Sequence, residues 1–223
     1  MRTISRMTGI AAALSLACFA TIAVAGPLPL NPDAIPGFSG TSTVASGLIA
    51  GKTLNASIDY AVFAPGQFNA YFGPGADPSN GTQYVYAYEL TNTGATANVS
   101  RSANLLTVDL LPASLAQNIG YLPVANGNYG TLPSGSSFAD SPPSSSRWSF
   151  SAPVIGLGGV SQIVLFTSPE PPTRGTAAVV GGGLQATTTV PNYVPTPIPE
   201  PSTFVLMAIA GSALALIRRR SKN

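Results

Sequence analysis

The sequence predicts an all-β fold: a single β-sandwich ectodomain, flanked by an N-terminal signal peptide and one short C-terminal transmembrane helix. Three observations predict it. Through the middle of the chain, apolar and polar residues alternate with a period near two. Clusters of Gly, Pro, Asn and Ser separate the alternating runs. No long 3.6-residue periodicity occurs outside the two termini. Many short strands with turn signals between them fit a sandwich or a barrel, and the stretch they occupy is long enough to bury one core.

Residues 1–25 read as a signal peptide. Arg2 and Arg6 give the positive n-region, residues 10–20 the apolar h-region, and Ala23-Val24-Ala25 an A-x-A site that places cleavage before Gly26. A permanent N-terminal anchor would need a longer apolar core. Acylation at Cys18 would want an aliphatic residue where Ser15 stands. Cys18 is the only cysteine and leaves with the signal, so the mature chain must fold without a disulfide.

Residues 26–40 are rich in Pro and Gly and read as an extended leader. The β domain is placed at 41–190. "SIDYAVF" alternates Ile58, Tyr60 and Val62 against Asp59, Ala61 and Phe63. "YVYAYEL" sets Tyr84, Tyr86, Tyr88 and Leu90 on one face of a strand, and "NLLTVDLL" does the same with Leu106, Val108 and Leu110. "RWSFSA", "SQIVLFTS" and "LQATTTV" are further strands, and "DSPPSSSR" is an exposed loop by composition. Residues 191–198 belong to a proline-rich linker, stiff at ~3.1 Å per residue.

The composition excludes much chemistry. The chain has no histidine, which removes the usual general base and the commonest metal ligand. No cofactor or metal is expected. Between Gly26 and Pro199 the bases are Lys52, Arg101, Arg147 and Arg174, against Asp33, Asp59, Asp77, Glu89, Asp109, Asp140 and Glu170, a formal charge of −3. A mildly acidic domain without a basic patch argues against nucleic-acid binding. Two carboxylates suffice for glycoside hydrolysis, but these acids are scattered singly along the sequence. "GADPSNG" carries Asp77, Ser79 and Asn80 without the spacing of a calcium loop, so a plain turn is expected. Tyr84, Tyr86 and Tyr88 are either core or, if their face is outside, a strip for contacting sugar rings; core is the favoured reading. Three N-x-S/T triplets, at Asn55, Asn80 and Asn98, carry little weight, since such triplets arise by chance in a polar β protein.

Residues 199–223 are organised differently. Pro199-Glu200-Pro201 comes first, then residues 204–217, uncharged and mostly apolar, then Arg218, Arg219 and Arg220. As a helix, residues 204–217 span ~21 Å, against a hydrocarbon core of ~30 Å. Such a segment gives a weak anchor, with the arginines held on the cytoplasmic side. A buried core helix is the alternative for so short a run, and the arginine cluster speaks against it.

This order resembles the PEP-CTERM sorting signal, a tail also labelled an ice-binding-protein C-terminal domain. The resemblance implies recognition by exosortase, a membrane-embedded cysteine protease or transpeptidase of Gram-negative bacteria, at Pro199, Glu200 and Pro201. It implies that residues 204–217 present the chain at the inner membrane, transiently, and that Arg218, Arg219 and Arg220 retain it there. Signal peptidase acts at the other end. The implied destination is the cell surface or the extracellular polymer matrix. The β-rich body is more loosely similar to the ectodomains that precede such tails. The function expected is thus an exported, non-enzymatic surface or matrix protein. The alternative is a carbohydrate-binding module acting on exopolysaccharide. An ice-binding protein ranks lower, because "ATTTV" stands alone and no regular Thr-x-Thr array repeats.

Overall fold

The computed structural model describes residues 28–96, 100–110, 115–123, 130–140 and 143–193. The stretch read as a signal peptide, with Ala23, Ala25 and Gly26, and the tail, with Pro199-Glu200-Pro201, the 204–217 segment and the arginine cluster, lie outside the described residues. No described helix is long and apolar enough to cross a membrane.

The elements run β1 (Ala34–Ala45), β2 (Asn55–Phe63), α1 (Gln67–Phe72), β3 (Tyr84–Asn92), β4 (Leu105–Asp109), β5 (Gln117–Tyr121), β6 (Gly135–Ala139), β7 (Ser145–Ser149), β8 (Val164–Ser168), β9 (Pro172–Gly181) and β10 (Leu184–Tyr193). They form two open, five-stranded sheets, ordered β1-β2-β3-β8-β5 and β10-β9-β4-β7-β6. Every strand pairing within them is antiparallel.

Period-two alternation decides which side chains meet between the sheets. Ile58, Tyr60, Tyr86, Tyr88, Leu90 and Phe166 of the first sheet share one core with Leu106, Val108, Trp148, Val179 and Ala186 of the second. The other face of the first sheet is also covered. Ala61, Phe63, Val85, Ala87 and Leu165 pack with Phe68 and Phe72 of α1 and with Leu28. Phe63 meets Phe68 edge-on at 5.1 Å and Phe72 at 5.8 Å. This is why "YVYAYEL" is apolar at nearly every position: both of its faces are buried. α1 is too short to announce itself by periodicity.

The edges of the two sheets are tied together by side chains. Ser42 Oγ on β1 donates to the carbonyl of Thr189 on β10 at 2.7 Å. Arg174 on β9 reaches across to the Gly37 carbonyl at 3.0 Å and to the Tyr60 hydroxyl at 3.4 Å. On the opposite side the indole N–H of Trp148 on β7 donates to the Gly120 carbonyl on β5 at 2.9 Å.

Strand boundaries differ from the sequence reading in several places. β1 begins at Ala34, within the stretch read as a leader, and β10 continues to Tyr193, past residue 190. Pro191 lies on β10, which is an edge strand, where a missing N–H costs no ladder bond. "DSPPSSSR" is not all loop: Ser145, Ser146 and Arg147 open β7, and Ser146 is buried and donates to the Val108 carbonyl at 3.3 Å. Short polar serines fit a buried strand here because the neighbouring backbone accepts their hydrogen bonds.

Candidate functional site

The tyrosine strip faces inward. Tyr86 and Tyr88 are 0% exposed, and Tyr84 is half-buried and packed against the same core. Tyr86 stacks on Phe166 at 4.8 Å, and Tyr88 tilts against Trp148 at 5.9 Å. Their hydroxyls donate to the carbonyls of Glu170 at 2.8 Å and Pro191 at 2.7 Å. Burial holds both phenols protonated well above their ordinary pKa, so both remain donors. Rings enclosed in this way are not available to stack on a sugar.

The Asp77 loop is a self-satisfied turn. The buried Asp77 carboxylate accepts from the Ser79 N–H and hydroxyl, both at 2.7 Å, and from the Gly81 N–H at 3.0 Å. Its own N–H donates to the Asn69 side chain at 2.9 Å. Both carboxylate oxygens are used within the loop, and the bond from the Ser79 N–H makes it an Asx turn. Among the described residues no three His, Cys, Asp or Glu side chains come together to hold a metal ion.

Folding does join two acids that are far apart in sequence. Asp59 on β2 stands directly opposite Glu89 on β3. The Thr41 hydroxyl donates to Asp59 at 2.5 Å. Burial first, and then the Asp59 charge, push the Glu89 carboxyl up from 4.5 to about 7. Because this pKa is raised on folding, the native state holds the proton more tightly than the unfolded chain. Stability from this source is intact below about pH 4.5, declines as pH rises toward 7, and stays lower above it. Glu89→Gln should therefore flatten the pH dependence. It should raise stability at pH 8 by about 1–2 kcal/mol, a figure reduced for the carboxylate's partial exposure. Denaturant melts of both proteins at pH 4.5 and pH 8 check this, and superimposable pH profiles would contradict it.

The sorting segment follows directly from β10. At the end of that strand Asn192 and Tyr193 are fully packed. The Asn192 amide donates to the Asp109 carbonyl, and the Tyr193 N–H donates to the Asn192 side chain at 2.6 Å. The Tyr193 ring lies 6.2 Å from Tyr86 and 6.3 Å from Phe166. Burial raises its phenol to about 12. Pro199 follows so soon that the chain between can span at most ~20 Å.

Residues 197–221 match the family described as PEP-CTERM protein-sorting motif. No curated protein and no solved structure matches the chain. The matched stretch takes in Pro199-Glu200-Pro201, the apolar 204–217 segment and Arg218, Arg219 and Arg220. The chain therefore bears a PEP-CTERM protein-sorting motif, the signal that exosortase recognises.

Proposed function

We propose that this is a surface or extracellular-matrix protein: a β-sandwich ectodomain released into the polymer layer after exosortase acts on its tail. Signal peptidase removes residues 1–25 after the A-x-A site at Ala23 and Ala25, so the mature chain begins at Gly26. Residues 204–217 then hold the protein briefly at the inner membrane. Pro199, Glu200 and Pro201 are the recognition element, and Arg218, Arg219 and Arg220 keep the tail from slipping outward.

The observation that carries this reading is the match over 197–221, a stretch in which Pro199-Glu200-Pro201, an apolar run and an arginine cluster follow one another. The physics supports it. An apolar stretch of ~21 Å in a ~30 Å core is adequate for presentation and poor for permanent anchorage. Two prolines keep the residue between them out of a helix, and extended backbone is what a protease binds. Glu200 sets a charge at the membrane boundary, where deeper burial is costly.

Intact-mass measurement of the protein from the surface of its host tests the reading. The expected mass begins at Gly26 and lacks Arg218, Arg219 and Arg220. A mature form that retains those arginines would leave an ordinary single-span anchor in place of a sorting signal.

A further inference from the structure

The β1–β2, β3–β4, β7–β8 and β9–β10 connections converge at one end of the two sheets. There they enclose a cleft of about 410 Å³, lined by Lys52, Ser100, Arg101, Ser102, Asn104, Val154, Leu157 and Gly182. This volume lies within the range of about 300–1,000 Å³ usual for small-ligand sites. Two of the four bases between Gly26 and Pro199 line it, and none of the seven acids does. Positive charge is therefore concentrated at one point of an otherwise mildly acidic domain.

Buried polar atoms in the cleft lack partners. Ser100 is only 5% exposed, yet its hydroxyl makes no hydrogen bond, and neither does the buried Nε of Arg101. Buried polar atoms are nearly always satisfied, so orphans on residues lining a cleft call for a partner from outside the chain, a water or a ligand. The domain's other arginines differ. Arg174 donates to the Gly37 carbonyl and the Tyr60 hydroxyl, and Arg147 Nε to Ser145 Oγ at 3.4 Å.

The backbone around Arg101 is built to hold it. Its N–H donates to the Thr53 carbonyl at 2.9 Å, and its carbonyl accepts from the Asn92 amide at 3.0 Å. Its stem lies on Gly182, where an added Cβ would come 2.7 Å from Arg101 Cδ; the φ of +57° there also favours glycine. Gly94 makes room for Ser100 in the same way, since a Cβ there would meet Ser100 Cβ at 2.6 Å.

We propose that this cleft binds a carboxylate-bearing sugar unit of an acidic polysaccharide. The guanidinium of Arg101 takes the carboxylate, a geometry to which its planar fork is suited. Lys52 adds charge, and the Ser100 hydroxyl and Asn104 amide offer hydrogen bonds to sugar hydroxyls. Val154 and Leu157 face the C–H surface of the ring. A focus of two bases with no acid in the lining suits a single carboxylate, the charge carried by one sugar-acid unit. The choice of a polysaccharide as the carrier rests on the extracellular destination proposed above; the chemistry of the cleft does not.

Calorimetric titration of the mature protein with an oligogalacturonate, and with its carboxyl-reduced neutral counterpart, tests the proposal. Binding of the acidic form alone is expected, weakening as salt is raised. Arg101→Met keeps the stem on Gly182 and should cost about tenfold or more in affinity, the weight of a charge-assisted hydrogen bond. Arg147→Met, at a base that does not line the cleft, should change nothing. Amide shift changes at Ser100, Asn104 and Leu157 of the unaltered protein locate the ligand even if a variant fails to fold. No binding of the oligogalacturonate, equal binding of the neutral form, or shifts elsewhere would overturn the assignment. The two readings fail separately: retention of the tail leaves sugar-acid binding untouched, and loss of binding leaves processing untouched.

Discussion

Glu200→Gln is expected to leave nearly all of the protein full-length in the inner membrane of a host that carries exosortase. The substitution keeps size and shape and removes only the charge. That charge lies between Pro199 and Pro201, which deny the backbone to any helix and hold it extended. On the reading proposed above, this carboxylate, the only charge between Arg174 and Arg218, is the group the enzyme reads. Residues 204–217 and Arg218, Arg219 and Arg220 are unchanged in the variant, so membrane retention persists while release fails. Deleting residues 204–223 should do the opposite and free the domain without processing. Fractionation followed by intact-mass analysis distinguishes the cases. If Glu200→Gln matures as efficiently as the unaltered protein, the carboxylate is not what is recognised.

Trp148→Ala is expected to be the most destabilising single change in the domain. Trp148 heads the fully buried side chains by volume, and its ring sits where the two sheets face each other. The cost of such a truncation is about 3–5 kcal/mol, transfer free energy and residual cavity together. The loss of the indole N–H also leaves the Gly120 carbonyl without the bond that ties β5 to β7. For a domain of this length the midpoint should fall by roughly 6–20 °C. Trp148→Phe retains most of the ring and should cost markedly less. Thermal unfolding followed by near-ultraviolet circular dichroism reads both. A drop of less than a few degrees for Trp148→Ala would mean that the sheets do not depend on this contact.

The parts of the fold that were legible in sequence are those where composition and alternation agree. β2 and β3 are apolar, aromatic and β-branched, and Tyr86 and Tyr88 lie on the core side as their alternation with Val85 and Ala87 allows. β9 was less legible. "PTRGTAAVVG" opens with Pro172 and contains Gly175, both poor strand formers, and only pairing with β10 and β4 makes it a strand. β6, "GSSFA", reads as a turn by composition and is held by its register against β7. Long-range pairing of this kind leaves no local signal.

The same holds for chemistry. The sorting motif is contiguous and could be read directly from Pro199-Glu200-Pro201. The Asp59–Glu89 pair and the Arg101 cleft each draw on segments far apart in the chain, so neither could be recognised before the strands were paired. The one clue to the cleft in the sequence was scarcity: a domain with so few bases places each of them for a reason.

The clasped end of β10 also has a mechanical meaning. A pull on the tail would enter the domain at the end of β10. That strand is paired with β9 continuously from Leu184 to Tyr193. A load along the strand axis would act in shear, with the ladder bonds yielding together, whereas a load across it would peel them in sequence. The Ser42 bond to Thr189 and the Asn192 bond to Asp109 add lateral grips on the same strand. A pull at the C-terminus thus meets a strand held by β9 on one side and by β1 on the other.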